Sequence, residues 1–207
     1  MDGVPEPQTR SGVRMDEAGR ETAEQLAAIR RGDPDAFEAV AREHAPSLFR
    51  VALRLTGRRE EAEDLVQETL VRALPKLRGF EGRAKLATYL FRAMGNLWKN
   101  RLRSKKRSRL VDWFRGSGGD DDDDSPPEPR DVQPLAPERM EAEDRAREVR
   151  DAVSRLEPTR RWTLLLREVE EMPYEGIAEV TGVPVGTVRS RLARAREDLR
   201  RLLGAGT

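Results

Sequence analysis

Midway along the chain the sequence abandons every pattern that could build a core. From Val111 to Glu148 there are thirteen acids and only five bases, with an unbroken acidic run from Asp120 to Asp124. Gly116, Ser117, Gly118 and Gly119 precede that run, and Pro126, Pro127, Pro129, Pro134 and Pro137 follow it. Such a stretch buries too little apolar surface to offset the entropy lost on ordering it. It predicts a flexible acidic linker over residues 109–138, which divides the 207 residues into two small units. Residues 1–22, rich in Gly, Pro and charge without apolar period, read as a disordered tail.

What the chain lacks narrows its chemistry. It has no cysteine, which removes disulfide frameworks, thiolate nucleophiles and thiolate metal ligands, and makes a reducing cytoplasm the simplest home. No basic stretch followed by an apolar run opens the sequence, and aliphatic runs are as short as Leu164–Leu166, so neither export nor membrane insertion is predicted. His44, the sole histidine, falls on an apolar helical face beside Val40 and Leu48 and reads as structural. With no phosphate loop and no metal-ligand cluster, the expectation is a chain without metal, cofactor, small-molecule substrate or catalytic activity. Lys plus Arg (39) nearly cancels Asp plus Glu (38), so only the placement of charge informs. Seven bases and no acid lie between Lys99 and Arg109, immediately before the acidic linker.

Residues 23–108 read as a helical domain. Asp33 is an N-cap candidate with Pro34 at the first helical position, and Phe37, Val40, Ala41, Leu48, Val51, Ala52 and Leu55 recur at helical steps. Pro46 should kink or split this helix, and Gly57 should end it. A second helix, from Arg59 to about Leu74, turns Val66, Leu70, Ala73 and Leu77 inward and Asp64, Gln67, Glu68 and Arg72 outward. A third carries Leu86, Leu90, Ala93 and Leu97 on one side and Arg92, Asn96, Lys99 and Arg103 on the other.

Residues 139–207 read as a second helical unit. Val149, Ala152, Val153 and Leu156 form an apolar stripe, Pro158 starts a helix that turns Trp162, Leu165, Leu166 and Val169 inward, and Tyr174–Leu199 has the offsets of a helix-turn-helix. Ala178 permits close crossing, Gly182 permits the turn, and Ile177, Val183 and Val188 supply contacts between the two helices. Between Val185 and Leu203 six Arg outnumber two acids. A basic face of this kind is usually only solvated, but the start of the second helix is the part that enters a major groove. Gly186 and Thr187 would let a phosphate approach the helix start. Arg189, Ser190, Ala193 and Arg194 project nearby, and Arg can grip a guanine edge with two hydrogen bonds. The fold class is therefore all-α: two small domains, a long acidic linker and a C-terminal helix-turn-helix.

Leu156-Glu157-Pro158, Tyr174-Glu175-Gly176-Ile177-Ala178 and the run from Gly186 to Arg196 together resemble the promoter-reading domain of bacterial extracytoplasmic-function sigma factors. Asp33-Pro34-Asp35-Ala36-Phe37, Asp64 to Leu70 and Ala87 to Asn96 resemble that family's N-terminal domain, in the same order. The resemblance implies that Asp64, Leu65, Gln67, Glu68 and Arg72 dock on core RNA polymerase. It also implies that Phe80, Tyr89, Arg92, Asn96, Lys99 and Arg103 recognise and open the minus-10 element, while the helix-turn-helix reads the minus-35 element. Trp98 is another aromatic available for stacking on unpaired bases; for Trp98 and Phe91 core packing is the competing reading. Family behaviour further implies an anti-sigma partner. The family's usual Trp is Tyr89 here, its usual Ile-Ala is Met94-Gly95, and a common Glu is Gly176. In the family the linker threads basic polymerase channels, so Asp120–Asp124 reads either as a nucleic-acid mimic or as a plain spacer. The rival overall reading is a free-standing helix-turn-helix regulator, which would need no polymerase-binding domain.

Overall fold

The computed structural model describes residues 24, 27–79, 86–115 and 137–204, and every regular element among them is helical. Phe80 and the Asp120–Asp124 run lie outside the described residues.

Helix α1, Pro34–Thr56, starts at the expected cap: the Asp33 carboxylate accepts a hydrogen bond from the Asp35 amide at 3.0 Å. It ends at Gly57, whose φ of 74° suits a residue without Cβ and lets its N–H reach the Leu53 carbonyl at 2.9 Å. Of the two outcomes expected at Pro46, a split does not occur: the helix runs through it. An interior proline costs ~3 kcal/mol, yet burying each of Val40, Leu48, Val51 and Leu55 is worth ~1.5–3 kcal/mol. Burial on both sides of the proline wins.

Helix α2, Arg59–Ala73, is followed by a short 3-10 turn, Leu74–Gly79, that places Leu77 in the core. Helix α3, Leu86–Arg115, buries Leu86, Leu90, Phe91, Met94 and Trp98, with Ala93 and Leu97 at the margin of that face. The inward stripe is thus centred on the larger side chains. α3 continues past position 108, through the basic run, to Arg115. Arg101 ties it to α2: its Nε donates to the Glu68 carboxylate at 3.0 Å.

The C-terminal unit comprises α4 (Pro137–Ser154), α5 (Pro158–Glu168), α6 (Tyr174–Thr181) and α7 (Val185–Gly204). Ala152 and Leu156 are buried as the apolar stripe requires, but Val149 is exposed. Glu157 caps α5, its carboxylate accepting the Thr159 and Arg160 amides at 3.0 and 3.1 Å. Burial alone would raise its pKa, but these hydrogen bonds and the nearby Arg160 charge reverse the balance and lower it. Gly182, φ 71°, ends α6 with its N–H on the Ala178 carbonyl at 2.8 Å. Ile177, Val180, Val188, Leu192 and Ala195 close the space between α6 and α7.

The two units share one apolar cluster. The Trp162 ring of α5 lies 6.5 Å from that of Phe91 and 6.4 Å from that of Trp98, both on α3. Beside it, the Arg161 guanidinium stands 5.8 Å from the Trp98 ring centroid. Its Nη2 donates to the carbonyls of Arg54 (3.1 Å) and Leu55, in the last turn of α1. A cation at that helix end complements the backbone dipole. Burial pushes the Arg161 pKa down to about 10, which leaves it charged at neutral pH. At the rim, Arg50 Nη2 donates to Glu170 Oε2 at 3.2 Å.

Candidate nucleic-acid interface

The first turn of α7 forms as its sequence dictates, with the Thr187 amide on the Pro184 carbonyl at 2.9 Å. Gly186, Arg189, Ser190, Ala193 and Arg194 are exposed at three- and four-residue steps, which puts them on one side of the helix, while Thr187 is half-buried. The Ser190 hydroxyl donates back to the Thr187 carbonyl at 3.0 Å. Charge pairing separates the arginines of this helix. Arg196 pairs with Glu168 at 2.8 Å and Arg201 with Asp198 at 3.1 Å, whereas Arg189, Arg191, Arg194 and Arg200 make no ion pair among the described residues. Of these, Arg189 and Arg194 lie exposed in the first half of the helix, on the side that carries Gly186, Ser190 and Ala193.

The polar stripe of α3 is placed differently. Asn96 and Arg103 are exposed, the latter donating to Asn100 Oδ1 at 3.3 Å. Arg92, though solvent-accessible, donates through Nη2 to the Glu179 carbonyl of α6. Burial, then the charges of Arg103 and of Arg191 on α7, push the Lys99 ammonium pKa down. Tyr89 is half-buried, its hydroxyl 3.5 Å from the Ala73 carbonyl, and burial raises its pKa. Trp98 is only 4% exposed; as a stacking surface it is closed off beneath Trp162, so core packing describes both it and Phe91 here.

Of the α2 residues, Asp64, Gln67 and Arg72 are exposed. Glu68 is engaged by Arg72 as well as by Arg101. Leu65 is fully buried. One residue beyond Asp64 turns its side chain by about 100° of helix, into the core. Sequence reasoning missed an apolar groove of about 340 Å³ beside Gln67, lined by Phe37, Leu70, Val71, Leu74 and Pro75. Val71, 65% exposed, was the available signal: a large aliphatic outside the inward stripe. His44 is half-buried, its Nε2 3.9 Å from Glu43 Oε1, and burial lowers its pKa against the pull of that carboxylate. Among the described residues no group of acids and histidine could hold a metal ion, and no helix is long and apolar enough to cross a membrane.

Residues 40–108 match the Sigma-70 region 2 family and residues 146–199 match Sigma-70, region 4. The chain is 35% identical to the ECF RNA polymerase sigma factor EcfG of Rhodopseudomonas palustris, covering 76% of this chain and 80% of that one. It is 31% identical to the RNA polymerase sigma-H factor of Pseudomonas aeruginosa, covering 84% and 90%. Among solved structures it resembles the sigma factor RpoE crystallised with the anti-sigma factor NepR from Bartonella quintana, at 26% identity, TM-score 0.52, and coverage of 91% and 97%. The fold also matches CnrH, solved with the cytosolic domain of CnrY, at 22% identity, TM-score 0.61, and coverage of 88% and 97%. A free-standing regulator has no use for a region 2, and here that region occupies the N-terminal unit. The chain belongs to the ECF RNA polymerase sigma factors, and as such directs promoter-specific initiation of transcription.

Proposed function

We propose that α7 reads the minus-35 element through Arg189 and Arg194. Gly186 and Thr187 admit a backbone phosphate to the helix start, and Ser190 and Ala193 sit against the groove floor. The observation that carries this reading is where Arg189 and Arg194 stand: both are exposed in the first half of the second helix of the helix-turn-helix, on the side that carries Gly186, Ser190 and Ala193, without an ion pair among the described residues. Each bidentate arginine–guanine contact is worth ~1–3 kcal/mol of discrimination.

Under the same proposal Tyr89, Arg92, Asn96, Lys99 and Arg103, with Phe80, engage the minus-10 element. Asp64, Gln67, Glu68 and Arg72 face core RNA polymerase, with the neighbouring apolar groove adding contact area that Leu65 cannot. The chain carries these roles by binding alone, without catalysis, in the cytoplasm where polymerase and DNA reside. An anti-sigma partner fits the reading, since the sigma factor RpoE that the chain resembles was crystallised with one.

Run-off transcription with core enzyme and genomic fragments tests the assignment. Arg189→Ala or Arg194→Ala should lower promoter-specific transcript roughly 5- to 150-fold, the equivalent of ~1–3 kcal/mol, with core binding unchanged. Undiminished transcription from every target by both variants would remove the proposed base readers.

A further inference from the structure

Resting on the assignment of α2 to polymerase and of the α3 stripe to strand opening, we propose that Arg101 is a positioning residue for initiation: through Glu68 it fixes the roll of α3 against α2, so that docking one helix aims the other at the minus-10 element.

The stripe reaches beyond the part of α3 that the core can hold. Among the described residues, Trp98 is the last of α3 to be buried, and after it only Leu102 packs part of its surface on the apolar cluster. Lys99 and Arg103 therefore stand where apolar packing runs out. What secures the helix there is polar. Arg101 Nε donates to Glu68 Oε2 at 3.0 Å, its Nη2 donates to the same oxygen, and Nη2 also reaches the Asp64 carbonyl at 3.4 Å. One turn further, Lys105 Nζ lies 3.6 Å from Glu61 Oε1. At about 100° per residue, Arg101 and Lys105 fall on the side of α3 opposite to Arg92, Asn96, Lys99 and Arg103. The ion pairs grip the helix from behind its stripe.

Glu68 is a junction between the two helices rather than a free charge. Its second oxygen, Oε1, stands 2.5 Å from Arg72 Nη2, and its side chain is 27% exposed. Both oxygens are thus engaged, one by an arginine of α2 and the other by an arginine of α3. Asp64, by contrast, is exposed and makes no ion pair among the described residues, so the unspent negative charge that α2 offers to polymerase is that of Asp64. A partly exposed ion pair adds little to global stability, so the value of the Arg101 contact is geometric. The planar arginine fork spans a carboxylate and a neighbouring carbonyl at once; lysine, a point charge, keeps the attraction without the fork.

Holoenzyme assembled from the full chain and core polymerase tests this on a genomic fragment that the parent transcribes, with unpaired thymines read by permanganate. At saturating core, Arg101→Gln should lower strand opening roughly threefold or more while core affinity stays within about twofold of the parent, and Arg101→Lys should recover most of the opening. On the same fragment carrying a pre-opened mismatch bubble, Arg101→Gln should transcribe as the parent does, which a misfolded chain would not. The salt slope of promoter binding should also match the parent, whereas a residue that itself gripped a phosphate would lower it by about 1 on removal. Unchanged opening by Arg101→Gln, a deficit that persists on the bubble, or a lowered slope would overturn the positioning role. So would core affinity falling in step with opening. Failure of the parent to bind core, or to open any fragment, would strike instead at the reading on which the proposal rests.

Discussion

The two surfaces assigned to DNA are carried by helices of similar basic character, yet one is open and the other is occupied. On α7, Arg189 and Arg194 stand free in solvent; on α3, Arg92 is held by a carbonyl of α6 and Trp98 lies beneath Trp162. The difference comes from neighbours rather than composition. α7 packs through Val188, Leu192 and Ala195 and leaves its other side bare, whereas α3 is contacted from both units. Reading double-stranded DNA needs only an exposed helix, but opening strands exposes stacking and cationic surfaces that are costly to leave unguarded.

This contrast can be broken most forcefully at Trp162. Trp162→Ala removes a side chain shared by both units, and a buried Trp→Ala change costs ~3–5 kcal/mol. Thermal unfolding should show a large loss, and bis-ANS binding should rise as the α3 aromatics are uncovered. A small loss confined to the C-terminal unit would mean that the indole serves α5 alone. Next in size is the cap of α5. Glu157→Ala should destabilise by ~0.5–2 kcal/mol in chemical denaturation, as loss of an N-cap does. Because the folded pKa of Glu157 is depressed below the unfolded value of 4.5, its contribution is complete above that value and is lost as pH falls through the folded pKa. The alanine variant should therefore flatten the acid limb of the stability profile.

The smallest expected effect sharpens the contrast between two helical glycines. At Gly176 a Cβ would meet only Pro173 ring carbons at 3.6 Å, ordinary contact, so Gly176→Ala should stabilise by ~0.5–1 kcal/mol and leave the domains together. At Gly95 a Cβ would lie 2.7 Å from Cε2 and Cζ2 of Trp162, so the same substitution should separate them. If both variants simply gained stability, crowding at Gly95 would not restrain the fold.

Much of this was legible in the chain. Asp33 and Pro34, Gly57, Pro158 and Gly182 mark helix ends by local chemistry, and local chemistry survives folding. Trp162 could be placed on an inward face, because helical period shows that a face is buried. Period does not show against what, so the covering of Trp98 and the crowding at Gly95 were invisible: they depend on residues more than sixty positions away. Gly95 and Gly176 both stood out as departures from the family pattern, and nothing local separates them. At Pro46 the breaker is local, while the burial that carries the helix through it is distributed. The reach of α3 to Arg115 was hidden by a polar composition that offers no apolar period to follow.

The most direct test of the closed arrangement is a set of nuclear Overhauser measurements on the isotopically labelled, polymerase-free chain. The account predicts cross-peaks between the Trp162 indole protons and the Gly95 Hα protons, with both helical units tumbling as one body. Absent cross-peaks and two independent rotational correlation times would contradict it.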